Sequence, residues 1–199
     1  MKLYFAPGAC SLAPHILLKE TGLPHTLVKV NTGKHQTQDG TDFYTINPKG
    51  YVPVLELDDG QRLTEGPVIA QYIADHSGRE DLMPAAGTIA RYRVMEWQGY
   101  ITSELHKSFS PLFNPALDAA AKAVFVALLR KKFGWVSQQL QDKASLTGDG
   151  FTAADAYLFT VAGWGKHVGL DLSDLEPLQA YLERIASRPA VQAALAAET

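Results

Sequence analysis

A single cysteine, Cys10, stands in 199 residues, and that scarcity excludes a good deal. No intrachain disulfide framework is possible, nor a zinc site built on paired cysteines, so the fold must hold by packing in a compartment expected to be reducing. No metal is expected. No apolar run approaches 18 residues, so no membrane-spanning helix is expected. The first residues, Met1-Lys2-Leu3-Tyr4, reach Pro7-Gly8 without an apolar core of signal-peptide length, which points to a cytoplasmic protein. Basic charge is not in excess either: 18 Lys and Arg against 21 Asp and Glu leave a formal charge of −3, which offers no field for nucleic acid. The one basic run, Arg130-Lys131-Lys132, follows an apolar helical stretch and reads as a solvated helix face. Apolar residues make up 46% of the chain, enough for one large or two small cores.

The pattern changes near residue 78. Before it, apolar runs are short and punctuated by turn residues; beyond it they are long and helical. Lys2-Leu3-Tyr4-Phe5 reads as a strand, and Leu12, Ile16 and Leu17 as the face of a helix that stops at Gly22. His25 to Val30 alternates like a strand, and a loop from Asn31 to Thr41 leads to a short helix at 42–46. Val54 to Leu57, the turn Asp58-Asp59-Gly60 and Gln61 to Thr64 form a hairpin, after which Pro67 opens a helix ending at Gly78. The order β-α-β-α-β-β-α is that of a thioredoxin-like domain. Residues 79–87 read as a linker, and 88–199 as all helical, with helices over 88–110, 116–141, 153–168, 174–187 and 189–197. Thr152 to Asp155 fits a capping box at the start of the third of these.

Several segments carry possible chemistry. Cys10 stands at a helix N-terminus, where the dipole favours a thiolate, although a lone cysteine is more often a small buried hydrophobe. Val52-Pro53 precedes a strand, where a cis bond would turn the Val52 N–H and C=O toward an extended peptide, and a trans proline at a strand start is the ordinary alternative. At Glu65-Gly66-Pro67 the first helical amides can hold a carboxylate and Glu65 an amine, unless Glu65 only complements the helix dipole. Gly99, Ser103 and His106 fall at i, i+4 and i+7 on one helical stripe, facing either solvent or a cleft. The stretch Glu104 to Phe113 is unusually aromatic and basic for a plain surface, which favours the cleft.

Taken in order, Tyr4 to Ser11, Asn47 to Pro53, Leu63 to Gly66, Glu104 to Lys107 and the Thr152–Asp155 box resemble the bacterial beta-class glutathione transferases along essentially the whole chain. The resemblance implies an α/β thioredoxin-like N-terminal domain (1–78) and an all-α C-terminal domain (88–199). It also implies a homodimer with glutathione as co-substrate. Carried over by motif, Cys10 is similar to the cysteine beside the glutathione sulfur and His106 to the histidine reaching in from the helical domain. Val52, with Pro53, resembles the residue whose backbone pairs with the cysteinyl unit; Glu65 and Gly66 resemble the pair holding the γ-glutamyl head; Ser103 resembles the hydroxyl that reaches across to it. The family often has asparagine where Gly99 stands, so one contact is missing or replaced by water. Lys34 and His35 compete for the glycine carboxylate, with His35 preferred by position. Lys107, Phe109, Phe113 and Trp164 would line the second-substrate pocket.

The implied activity is conjugation of glutathione to small hydrophobic electrophiles, a detoxification chemistry, with Cys10 accessible and more ionised than a free cysteine. Two alternatives remain open: redox, peroxidase or dehalogenation chemistry through a Cys10–glutathione mixed disulfide, and a non-catalytic ligand binder. Cys10-Ser11-Leu12-Ala13 supplies no resolving thiol, so a redox cycle would need a second glutathione.

Overall fold

Strand β1 (Lys2–Phe5) is the hub of the first half, and its alternation decides which face each side chain serves. In the computed structural model, which describes residues 1–148 and 150–199, it pairs in parallel with β2 (Thr26–Asn31) and antiparallel with β4 (Val54–Glu56). The short β3 (Gln36–Thr37) and β5 (Arg62–Thr64) complete a five-stranded sheet ordered β3-β2-β1-β4-β5. Leu3 and Phe5 point into the main core, whereas Tyr4 points into a smaller cluster with Phe43, Val30 and Val54 on the other face. β3 was not legible in the polar loop. It has two residues and is held by β2 alone and a bridge from Gln36 to Asp42.

Helix α1 (Leu12–Thr21) is buried along its whole first half, from Leu12 to Leu18, because it lies between two packing partners. On one side is α2 (Gly66–Ser77); on the other are α6 (Ala153–Ala162) and α8 (Pro189–Ala197) of the helical half. The two halves therefore share one core. A second tie crosses the linker: Arg91, in α3 (Ile89–Tyr100), grips Asp75 of α2 with both terminal nitrogens at 2.9 and 2.8 Å, and Ala153 N–H donates to the Leu82 carbonyl at 2.9 Å. A bidentate guanidinium–carboxylate pair fixes angle as well as distance.

The expected single helix over 88–110 is not continuous. α3 stops at Tyr100 and the chain then winds as a π-helix from Ile101 to His106. It resumes as a short α4 (Lys107–Phe109) and ends in a 3₁₀ turn at Ser110–Phe113. Wider winding frees carbonyls from their usual partners, and side chains take them up. The Glu104 carbonyl accepts from Ser108 Oγ at 2.7 Å and from Lys132 Nζ at 2.8 Å, and the Gln98 carbonyl from Thr102 Oγ1 at 2.7 Å. Lys132 comes from α5 (Ala119–Gln139), so its basic run includes one residue with an inward role. α6 also ends earlier than the periodicity suggests, at Ala162, with a 3₁₀ turn over Gly165–His167.

The Thr152–Asp155 box is more than a cap. Asp155 is fully buried, and one carboxylate oxygen accepts from Thr152 N–H and Oγ1, both at 2.8 Å. The other accepts from Leu146 N–H and from Tyr181 Oη of α7 (Glu176–Ala186), both at 2.9 Å. Burial pushes this carboxyl above its ordinary value, while the four donors favour its charged form. Replacing Asp155 with alanine would strand the Leu146 and Thr152 donors and leave Tyr181 Oη only its 3.4 Å contact with the backbone carbonyl of residue 155, and each stranded donor costs about 1–3 kcal/mol. Asp155→Ala should therefore lower the unfolding free energy by about 3 kcal/mol or more in a urea titration; a loss under about 1 kcal/mol would show that the box is dispensable.

Candidate active site

The loop from Ala6 to Cys10 leaves β1 and enters α1, and three side chains give it its shape. Ser11 Oγ both accepts from Ala6 N–H and donates to the Ala6 carbonyl, each at 3.2 Å. Gly8, at a φ of +68° that suits glycine, is gripped at both ends of its backbone. Its N–H donates to Glu198 Oε2 at 2.9 Å and its carbonyl accepts from Trp164 Nε1–H at 2.8 Å. Glu198 also pairs through Oε1 with Nδ1 of the buried His15 in α1, at 2.8 Å. The helical half thus sets the position of Cys10.

Cys10 is half-buried, and its thiol donates to the Val52 carbonyl at 3.2 Å. The Val52–Pro53 bond is cis, as expected, but the Val52 carbonyl is already engaged by the thiol. Across the loop, Glu65 adopts a left-handed φ of +68° at the N-terminus of α2. Its carboxylate accepts from Lys49 Nζ at 2.5 Å, and the same ammonium reaches Thr64 Oγ1 at 2.8 Å. The acidic corner expected to hold an amine therefore already holds one, belonging to the protein.

Two adjoining cavities open here. The first, of about 450 Å³, brings together Cys10, Val52, Pro53, Glu65, Gly66 and His106, with Lys107 also on its wall. The second, of about 470 Å³, is bounded by the Ala6–Cys10 loop and by Phe109, Phe113, Trp164 and His167. Cys10 and His106 are the two groups able to do thiol or proton chemistry that line both. Lys107 faces the first cavity and not the apolar one. His35, Gly99 and Ser103 line neither. His35 stacks on Tyr44 with ring centroids 4.6 Å apart and bonds through Nδ1 to the Gly50 carbonyl; the Lys34 N–H caps back on Asn31. The π winding explains the other two: it breaks the stripe, leaving Ser103 exposed and bonded to the Gly99 carbonyl at 3.1 Å, and turning His106 inward.

The electrostatics correct one expectation. The amides of Cys10 and Ser11 and the charge of Lys107 favour a thiolate, as a helix N-terminus should. Burial outweighs them, with Glu65 acting in the same sense, and pushes the Cys10 thiol up to about 11. Nor does His106 supply a cation: burial, aided by Lys107, lowers it to about 4, so it is neutral at pH 7. Its Nδ1 lies 2.6 Å from Tyr157 Oη, and burial raises that phenol well above its ordinary value. Tyr157, Glu198 and Lys49 were missed in the sequence. Tyr157 sits in an apolar helix that reads as core, Glu198 is the penultimate residue, and Lys49 lies in a turn. Among the described residues no group of three or more His, Cys, Asp or Glu is placed to hold a metal ion, and no helix is long and apolar enough to cross a membrane.

Residues 8–76 match the glutathione S-transferase N-terminal domain and residues 100–189 the C-terminal domain. The glutathione S-transferase GstA of Escherichia coli O157:H7 is 48% identical over 198 residues, spanning 100% of this chain and 98% of that protein. The chain belongs to the glutathione S-transferase family. Among solved structures, a sphingomonad glutathione S-transferase complexed with glutathione gives a TM-score of 0.96 at 45% identity, over 100% of this chain and 98% of its own. A beta class enzyme of Sphingomonas chungbukensis gives 0.96 at 46% identity, with the same coverage of both chains. In this transferase the protonated thiol carries a direct consequence. At pH 7 that thiol is mostly protonated, so its alkylation by iodoacetamide should be slow and should keep rising with pH beyond the range in which a free cysteine levels off. A plateau with a midpoint near that of a free cysteine would contradict the burial argument.

Proposed function

We propose that the protein binds glutathione in the first cavity and conjugates its sulfur to a hydrophobic electrophile held in the second. The observation that carries this is the shared wall: Cys10 and His106 line both cavities, so a sulfur placed against them faces both occupants. The Glu65 carboxylate and the first amides of α2 suit the charged amino-acid head, whose ammonium would take the place of Lys49 Nζ. The Val52 N–H can pair with the cysteinyl unit, and the Val52 carbonyl, held by Cys10 before a ligand arrives, is released when that thiol turns to the glutathione sulfur. The second cavity offers the edges and faces of Phe109, Phe113 and Trp164, which favour a flat apolar substrate while discriminating weakly within that class.

Cys10 acts here as a donor. A thiol that keeps its proton can turn it from the Val52 carbonyl to a neighbouring glutathione thiolate, and proximity of thiolate to electrophile supplies most of the acceleration. The same burial disfavours a route through a Cys10–glutathione mixed disulfide, since the thiolate is the attacking species. We place the electrophile, detoxification and the cytoplasm within the same proposal, with residues 1–78 as the glutathione-binding part, 79–87 as linker and 88–199 closing over the site.

Gly99 and Ser103 face solvent, so a contact from Ser103 to glutathione must come from a neighbouring copy. Exposed Ile89, Tyr92 and Met95 on α3, with Val124 and Leu128 on α5, give apolar surface for that copy. Sedimentation at micromolar concentration should show a species of twice the 21.7 kDa chain mass; monomer alone would refute it. Cys10→Ala should retain at least about a tenth of kcat/KM for conjugation of an aromatic halide, the loss expected for one hydrogen bond. Abolition of conjugation would instead make Cys10 the nucleophile.

A further inference from the structure

His106 is held from two sides before any ligand arrives. Its ring meets Trp164 edge-on at 4.8 Å and Tyr157 edge-on at 5.9 Å between centroids. Trp164 is itself fixed by the Gly8 carbonyl, and Tyr157 by a nearly fully buried place in α6. Nδ1 is taken by Tyr157 Oη at 2.6 Å, while Nε2 makes no hydrogen bond among the described residues and belongs to the ring that lines both cavities.

We infer that Tyr157 is a positioning residue for this transferase: its phenol donates to His106 Nδ1 and so holds the imidazole as the Nε2–H tautomer, aiming a donor at the sulfur. Two arrangements of the protons are conceivable in a neutral pair. In one, the phenol O–H points at an unprotonated Nδ1 and the ring carries its proton on Nε2. In the other, Nδ1–H points at the phenol oxygen, and the phenol's own proton must turn to the neighbouring Thr102 hydroxyl or into the first cavity, whose wall both residues share. A phenol O–H is the stronger donor and an imidazole nitrogen the stronger acceptor of the pair, so a contact of 2.6 Å favours the first arrangement. Burial keeps both rings in the neutral forms that this requires.

The consequence refines the proposed conjugation, on which it rests. With Nδ1 blocked and Nε2 protonated, His106 has no free lone pair for the glutathione thiol, so that proton leaves to solvent. The thiolate left behind accepts from Nε2–H. Tyr157 shares the wall of the first cavity, and through its hydrogen bond to Nδ1 it decides what His106 offers.

The tautomer is directly observable in histidine-labelled protein by long-range proton–nitrogen NMR. Ligand-free protein should show His106 with a protonated Nε2 and an unprotonated Nδ1, and this measurement does not depend on glutathione binding. Failure of glutathione to bind would thus sink the proposed function while leaving the tautomer standing. A protonated Nδ1 would overturn the inference. Kinetics supply the second arm. Tyr157→Phe should lower kcat about tenfold with little change in the KM for glutathione, and should cost almost nothing further in a His106→Ala background. An equal loss in both backgrounds, or no loss in the first, would show that Tyr157 does not act through His106. If Tyr157→Phe does not fold, the tautomer of the unmodified protein still decides.

Discussion

The carboxylate of Glu198 is the point on which the rest of the arrangement depends. Burying α1 against both α2 and the α6–α8 layer leaves no solvent face from Leu12 to Leu18, so His15 must find a partner inside. Glu198 supplies it, and spends its second oxygen on the amide of Gly8. One group, next to the end of the chain, thereby fixes both the helix that follows Cys10 and the loop that precedes it. Trp164 closes the other end of the same peptide. Neither half can shape the Cys10 loop alone, which explains why the two halves share a core across the linker.

Cys10 shows how two correct effects can give a result that only their sizes decide. Helix N-terminal amides do stabilise a thiolate, and they act here. Such a terminus is worth a fraction of a kcal/mol up to about 2, whereas desolvation of a buried ionisable group can shift it by several pKa units. The packing that holds the loop in place is what removes water from the thiol. Anchoring and ionisation are thus opposed at this position, and a protonated, donating cysteine is the outcome of tight anchoring.

What the sequence made legible was local. Gly22 and Gly78 as helix stops, the Asp58-Asp59-Gly60 turn, Pro67 near a helix start and the Thr152–Asp155 box each depend on neighbours a few residues away, and each stands where expected. What was not legible depends on distant partners. The π segment is sustained by Lys132 reaching from α5 to the Glu104 carbonyl, so no periodicity within 88–110 could announce it. Tyr157 and Glu198 are ordinary residues of an apolar helix and a chain end until folding sets them against His106 and Gly8. His35 has the loop position suited to a carboxylate contact, but the loop's actual course, turned back by β3, stacks it on Tyr44.

The π segment joins these strands. A straight α-helix would place Gly99, Ser103 and His106 on one stripe, serving one surface. Inserting the wider turn changes the phase between Ser103 and His106, so one short stretch serves two directions: an outward hydroxyl, and an inward imidazole braced by Tyr157 and Trp164. Such a winding is less favourable than an α-helix and persists because Lys132, Ser108 and Thr102 satisfy the carbonyls it frees. Three side chains, of which Thr102 alone reaches the wall of the cleft, therefore determine that His106 enters it, and the site owes its geometry as much to these hydrogen bonds along the helix as to the groups that line it.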